Sequence, residues 1–199
     1  MKRKAILSIS CFFALLFSGN MAAQKLTTDN IALINDELVF TVQLPTVFNQ
    51  AEIYHRVHHF LDNDLQPYSG GFLKDTVSET RCKITDYLEV SANMFSIFAW
   101  YMSYDLSIEY VDSLCVIHFG YIRFMEKEYF ESKELWQKSS HNRQLNMPEY
   151  SGKDIFIDKS FNELMIRKAS AKTANAALNR FNAIIAGIKN NLNRIVFEQ

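Results

Sequence analysis

The sequence of residues 98–124 is FAWYMSYDLSIEYVDSLCVIHFGYIRF, and apolar and polar side chains alternate along two long segments of it. In the first segment, residues 100–110 have the period of two that is typical of a strand buried on one face. Val111-Asp112-Ser113 then predicts a turn. The second segment alternates as far as Gly120-Tyr121, where its phase slips as a β-bulge would cause. These residues predict a long hairpin that needs further strands beside it and a cover over its apolar side.

The N-terminal part of the chain predicts a second hairpin followed by a helix. Residues 31–34 and 37–44 are two apolar segments separated by Asn35-Asp36, which favours a turn. Asn49 is a suitable N-cap, because its side chain accepts a hydrogen bond from a free backbone N–H at the start of a helix. The predicted helix ends near Asp64, before proline and glycine breakers.

Periodicity is weaker in the next part of the chain. Residues 82–90 predict a half-buried strand, although Asp86 interrupts its inward-facing apolar set. Residues 64–81 show no clear pattern. Residues 125–152 are polar and irregular, with one or two helical turns predicted in 127–138.

A long amphipathic helix is predicted near the C-terminus. Its apolar positions step by three and four residues: Ala171, Ala174, Leu178, Phe181, Ile185, Ile188, Leu192 and Ile195. This spacing resembles that of a coiled coil, so self-association through the helix is one reading. The simpler reading is that the helix covers the sheet. The sequence therefore predicts an α+β fold, with an antiparallel sheet and helices packed mainly on one face.

The first residues have the order of a secretory signal peptide. Lys2-Arg3-Lys4 precede an apolar run at residues 5–17, and small residues follow up to Ala23. We expect cleavage after Ala23, which would leave residues 24–199 as one domain in the periplasm or outside the cell. An uncleaved anchor is the alternative, although the apolar run is shorter than the ~20 residues of a membrane span.

Charge argues against a nucleic-acid partner. The leader contains three of the 21 basic residues and none of the 22 acidic ones, so its removal changes the formal net charge from −1 to −4. Nucleic-acid-binding domains are usually basic, because they neutralise phosphates. No membrane span is expected after removal of the leader.

Cys82 and Cys115 follow the leader, and two cysteines in an oxidising compartment suggest a disulfide. The predicted strand order argues against it. If residues 82–90 pair with the central hairpin, Cys82 lies near Asp105 and Cys115 near Tyr110, which is beyond the ~7 Å Cα separation that a disulfide tolerates. Both cysteines occupy inward-facing positions, so we predict two buried free thiols.

The order of predicted elements behind a signal peptide resembles domain-of-unknown-function family 4468. The residues that carry the resemblance are 35–40 before 51–57, the hairpin end at 117–124, and 155–159 before the C-terminal helix. The family consists of predicted secreted proteins of the Bacteroides group with a fold like that of the TATA-binding protein (TBP). The resemblance implies a TBP-like fold and export, and it implies no activity. Acidic side chains at Glu89, Asp105 and Glu109 argue against a nucleic-acid partner in spite of the analogy with the TBP fold.

Two clusters deserve a test as chemical sites. Glu52, His55 and His59 share one face of the predicted helix, with His58 beside them, which is a spacing that suits metal ligands. That face points away from the apolar positions, so we predict a solvated surface and no metal or other cofactor.

Four glutamates form the second cluster: Glu126, Glu128, Glu131 and Glu134. Paired carboxylates would suit an extracytoplasmic hydrolase of envelope or glycan material, which is the alternative function. Neither a nucleophile with its base nor a glycine-rich phosphate loop is recognisable, so a noncatalytic role is favoured over enzymatic activity.

The remaining candidate surface is the outward face of the sheet, which the predicted helices leave uncovered. Five of its residues combine aromatic rings with hydrogen-bond donors and a cation: Tyr87, Tyr101, His118, Tyr121 and Arg123. Tyrosine and arginine are enriched at binding interfaces. We therefore expect an exported noncatalytic binding module with a protein or glycan partner, and a solvated polar face is the alternative reading of these residues.

Overall fold

The computed structural model describes residues 25–27, 31–93, 96–138, 149–158 and 164–194, with side chains described outside 91–98, 133–138, 158 and 164–169. The predicted signal peptide lies outside these residues. In the order of the chain the elements are β1 (Ile31–Ile34), β2 (Glu37–Pro45), α1 (Gln50–Asn63), β3 (Ser69–Thr76), β4 (Glu79–Asn93), β5 (Ser96–Val111), β6 (Leu114–Glu126), α2 (Lys127–Lys138), β7 (Glu149–Ser151), a π-helix (Asp154–Asp158) and α3 (Leu164–Asn193).

The strands form one antiparallel sheet in the order β1-β2-β6-β5-β4-β3, and β7 pairs with β6. The predicted α+β class and antiparallel sheet are therefore confirmed. None of the helices in the described part of the chain has the length and apolar character needed to cross a membrane.

The central hairpin forms as its alternation predicts. β5 and β6 pair from Val111 opposite Leu114 onwards, and the register shifts between Ser103 and Asp105. The extra residue lies on β6, where Tyr121 has a φ of 50°. The phase slip at Gly120-Tyr121 is thus a bulge that places one residue in the left-handed region.

The N-terminal hairpin and helix also form as predicted. Asn35 and Asp36 have φ angles of 52° and 64°, as a tight turn between twisted strands requires. Asn49 accepts a 2.9 Å hydrogen bond from the backbone N–H of Glu52, so it caps α1.

β3 is an element that the sequence did not predict. All eight of its residues, Ser69–Thr76, are exposed, so no alternation marks the strand. Among the described strands it pairs with β4 alone and forms an edge, where the register shifts between Phe72 and Lys74. The shift and the lysine both disfavour pairing with another sheet edge.

The core lies between the inner face of the sheet and the helices α1 and α3. Phe181 of α3 packs with ring centroids 4.4 Å from Phe119 and 5.1 Å from Tyr104, and all three side chains are buried. At Gly187 the two helices approach so closely that a Cβ atom would lie 2.2 Å from the Phe60 ring. A larger residue at position 187 would force the buried Phe60 ring to shift.

The buried side of α3 matches the predicted spacing except at its start. Six predicted positions are buried: Ala174, Leu178, Phe181, Ile185, Ile188 and Leu192. Ala171 is exposed, which corrects its assignment to the apolar side, and Ser170 and Thr173 are buried near that end. Ile195 lies outside the described residues.

Candidate functional site

Helix α2 lies on the outer face of the sheet, at the end of the central hairpin. Phe130 stacks on Tyr101 with ring centroids 4.0 Å apart and an interplanar angle of 21°, and Tyr68 approaches the same ring edge-on at 4.6 Å. As a result Tyr101 is only 4% exposed. The prediction that the outer face is uncovered is therefore wrong at this end, because α2 is three turns long rather than one or two.

The Tyr101 side chain anchors α2 to the sheet. Its hydroxyl donates a hydrogen bond of 3.2 Å to the carboxylate of Glu131. Burial, and then the hydrogen bonds with Tyr68 and Glu131, raise the pKa of this hydroxyl well above its usual range. Met125, which lies opposite Tyr101 in the register, is buried beside it.

A cavity of about 480 Å³ opens on the outer face beside this contact. Its volume lies within the ~300–1,000 Å³ of small-molecule sites. Residues of β4, β5, β6, α2 and β7 line it: Lys83, Tyr101, Ser103, Asp105, Tyr121, Arg123, Met125, Phe130 and Glu149.

Tyr121 supplies the exposed aromatic ring of the cavity. The ring is 61% exposed, and the bulge holds its backbone in the left-handed region at a φ of 50°. Such a conformation is uncommon for a residue other than glycine, asparagine or aspartate. The bulge therefore directs a large ring to a place where regular alternation would not put it.

Arg123 contributes a guanidinium that is already paired. Its Nη1 donates to Glu37 Oε2 at 2.8 Å, and its Nη2 donates to Glu37 Oε1. This bidentate hydrogen bonding is the main reason why the pKa of Glu37 is lowered and the pKa of Arg123 is raised. The pair lies between β2 and β6, and it leaves the arginine little freedom to bind an anion.

The rest of the cavity is lined by side chains of both positive and negative charge. Lys83 lies directly opposite Asp105 on the neighbouring strand, and Glu149 comes from the short strand β7. In the described part of the chain, none of these three side chains is in an ion pair within 4.0 Å. Their donors and acceptors are thus available to a molecule in the cavity.

The structure brings together three of the five predicted site residues. Tyr101, Tyr121 and Arg123 line the cavity, whereas Tyr87 and His118 do not. Tyr87 is 40% exposed with its ring 5.4 Å from that of Tyr101. His118 lies nearer the turn between β5 and β6, where its Nδ1 is 2.9 Å from the Thr41 hydroxyl.

Sequence reasoning missed several lining residues for two different reasons. Lys83, Ser103 and Asp105 share the outward phase of Tyr101, so alternation alone was a sufficient signal for them. Phe130 and Glu149 reach the cavity through α2 and β7, in the region 125–152 that showed no periodicity.

The side chains of the predicted histidine cluster on α1 make contacts with different partners. Glu52 pairs with Arg56 at 2.6 Å, while His58 lies 2.7 Å from Asp62 and 3.0 Å from Asp75. His58 also stacks on Phe72 at 5.3 Å, so its ring joins α1 to the edge strand β3. Within the described ranges, no group of three such side chains is placed to hold a metal ion.

The described glutamates of the alternative hydrolase hypothesis do not line the cavity. Glu126, Glu128 and Glu131 do not line it, and the Glu131 carboxylate accepts the hydrogen bond from Tyr101. The side chain of Glu134 lies outside the described residues.

Known structures share this fold. A crystal structure of a DUF4468 family protein from Bacteroides ovatus matches with a TM-score of 0.59 and 12% identity, over 85% of this chain and 94% of that one. A TBP-like protein from Parabacteroides distasonis matches with a TM-score of 0.53 and 10% identity, over 80% of this chain and 97% of that one. No family model and no curated protein matches the sequence. The expected resemblance to family 4468 and the expected TBP-like fold are therefore confirmed as a likeness of fold.

Proposed function

We propose that the protein is an exported, noncatalytic binding module whose ligand occupies the cavity between the outer sheet face and α2. The observation that carries this proposal is the composition of the cavity: the exposed Tyr121 ring shares it with three charged side chains, Lys83, Asp105 and Glu149, that have no ion pair in the described structure. Binding sites commonly combine aromatic surface with a few polar groups that fix the orientation of the ligand. Of the predicted site residues, Tyr101, Tyr121 and Arg123 belong to this site.

The rigid surroundings of the cavity support binding. Tyr101 is held between Phe130 and Tyr68, and Arg123 is held by Glu37. Side chains that are fixed before binding lose less conformational entropy when the ligand arrives, so more of the contact energy appears as affinity.

Export is proposed from the charged, apolar and small-residue order of residues 1–23. N-terminal sequencing of the protein from the native envelope fraction tests it. Gln24 as the first residue is the expected result, and Met1 at the N-terminus would contradict it.

Affinity chromatography tests the binding function. Wild type, Tyr121→Gly and Tyr129→Ala are immobilised at equal density, and a native envelope extract is passed over each. Glycine suits the left-handed backbone at residue 121, so Tyr121→Gly removes the ring without adding strain. Tyr129 is 41% exposed and does not line the cavity, which makes it the matched control.

We expect wild type and Tyr129→Ala to retain the same component, and Tyr121→Gly to retain at least tenfold less of it. Circular dichroism confirms that all three proteins are folded. Equal retention by Tyr121→Gly would show that the cavity is not the binding site.

A further inference from the structure

We infer that the ligand of the cavity is a neutral saccharide, the end or a short segment of a glycan. This inference rests on the proposed binding function and names its ligand class. It follows from the balance of charge and aromatic surface among the residues that line the cavity.

The charges of the cavity disfavour a strongly charged ligand. Arg123 is paired with Glu37, while Asp105 and Glu149 present carboxylates to the same space. A phosphate or other anion would meet these carboxylates and would have to compete with Glu37 for the guanidinium. A cation would meet the ammonium group of Lys83. With Arg123 balanced by Glu37, one positive charge (Lys83) and two negative charges (Asp105 and Glu149) remain, so a strongly charged ligand of either sign meets a like charge in the lining.

The charges also disfavour a purely apolar ligand. Such a molecule would remove Lys83, Asp105 and Glu149 from water without replacing their hydrogen bonds, which is costly. A sugar hydroxyl both donates and accepts. Sugar hydroxyls can therefore donate to the two carboxylates and accept from the lysine. The Ser103 hydroxyl already shares a 2.9 Å hydrogen bond with the Thr85 hydroxyl and retains an acceptor site.

The aromatic rings provide the complementary apolar surface. A pyranose ring carries C–H groups on its faces and hydroxyl groups around its edge. Tyr121 offers a broad, largely exposed ring for such a face, and Met125 and Phe130 add apolar wall next to it. The cavity volume of about 480 Å³ suits a mono- or disaccharide unit.

Saturation-transfer NMR tests the inference on wild type, Tyr121→Gly, Asp105→Asn and the control Tyr129→Ala. The probes are three neutral disaccharides, namely lactose, maltose and N,N′-diacetylchitobiose, together with the zwitterion glycylglycine and inorganic phosphate, whose binding is followed by ³¹P line broadening because it has no carbon-bound protons. We expect at least one disaccharide to receive saturation from wild type and Tyr129→Ala. Its affinity should fall at least tenfold in Tyr121→Gly, and severalfold in Asp105→Asn.

The competing outcomes separate this inference from the proposed function. Binding of glycylglycine or phosphate that depends on Tyr121, without binding of any disaccharide, would overturn the saccharide assignment and leave the binding function intact. Binding of a disaccharide with equal affinity by wild type and Tyr121→Gly would also overturn the assignment to this cavity. If no probe binds and the extract is retained equally by Tyr121→Gly, both proposals fail.

Discussion

The carboxylate of Asp86 on β4 accepts two hydrogen bonds of 2.9 Å from the guanidinium of Arg180 on α3. The Tyr104 hydroxyl donates a third bond of 2.8 Å to the same carboxylate. Asp86 is 4% exposed, whereas the Arg180 side chain is 26% exposed. The acidic residue that interrupts the inward-facing set of β4 is thus the point at which α3 is fixed to the sheet.

Because Asp86 is more deeply buried than Arg180, removing the arginine should lower the free energy of unfolding more than removing the aspartate. Arg180→Met leaves a buried carboxylate without its counter-ion, so we expect the free energy of unfolding to fall by ~3–5 kcal/mol. Asp86→Ala should cost less, because the arginine that it leaves behind reaches solvent. Urea unfolding of both variants at neutral pH measures the difference. A larger loss in Asp86→Ala than in Arg180→Met would contradict the account.

The sequence predicted the parts of the fold that are determined by residues close together in the chain. The central hairpin, the Asn35-Asp36 turn and the Asn49 cap were all recognisable because each depends on neighbouring residues. β3 was not predicted, since both of its faces are exposed. The buried role of Asp86 depends on a residue 94 positions away, so no local pattern could show it.

The candidate site was predicted in part for the same reason. Tyr101 and Arg123 share the outward phase of the sheet, and the phase slip at Gly120-Tyr121 puts Tyr121 on the same face, so the sequence pattern brought the three together. The position of α2 on that face depends on the contact between Phe130 and Tyr101. This contact uses aromatic rings outside the main core, and the apolar periodicity of a core-covering helix is therefore absent.

The pairing of Glu37 with Arg123 predicts a pH-dependent part of the stability. Because the pKa of Glu37 is lowered in the folded state, this contribution is fully present above the ordinary glutamate pKa of 4.5 and is lost as the pH falls through the lower folded-state value. Urea unfolding of wild type and Glu37→Gln between pH 7 and pH 3 checks it. The stability gap between the two proteins should shrink below about pH 4.5. A stability difference between the two proteins that stays constant from pH 7 to pH 3 would show that the pair makes no pH-dependent contribution to stability.

Cys82 and Cys115 should be unreactive in the folded protein. Both are free and buried, and burial raises the pKa of each thiol to about 12. Cys82 pairs in register with Leu106, one residue from its predicted neighbour Asp105, and Cys115 pairs with Tyr110 as predicted. Ellman's reagent at pH 8 should therefore detect both thiols only after denaturation. Rapid reaction of the native protein, or a disulfide after air oxidation, would contradict the strand order.

Phe181 should be essential to the core. Its ring is fully buried among Phe119, Tyr104 and Phe40, so Phe181→Ala is expected to cost ~3–5 kcal/mol. Asn179→Ala, at an exposed position of the same helix, is the matched control and should change stability by less than ~0.5 kcal/mol. Denaturant unfolding at two protein concentrations measures both variants. A small loss for Phe181→Ala that varies with protein concentration would instead favour self-association through α3.

The most direct test of the account is to map binding on the folded protein by ¹H–¹⁵N NMR. The component that immobilised wild type retains from envelope extract is titrated into labelled wild-type protein. We expect shift changes to concentrate at residues around the cavity, such as Ser103, Asp105 and Tyr121, and Tyr121→Gly to abolish them. Changes centred on the exposed edge strand β3 or on the outer side of α3, with the cavity residues unmoved, would contradict the claim that this cavity is the functional site.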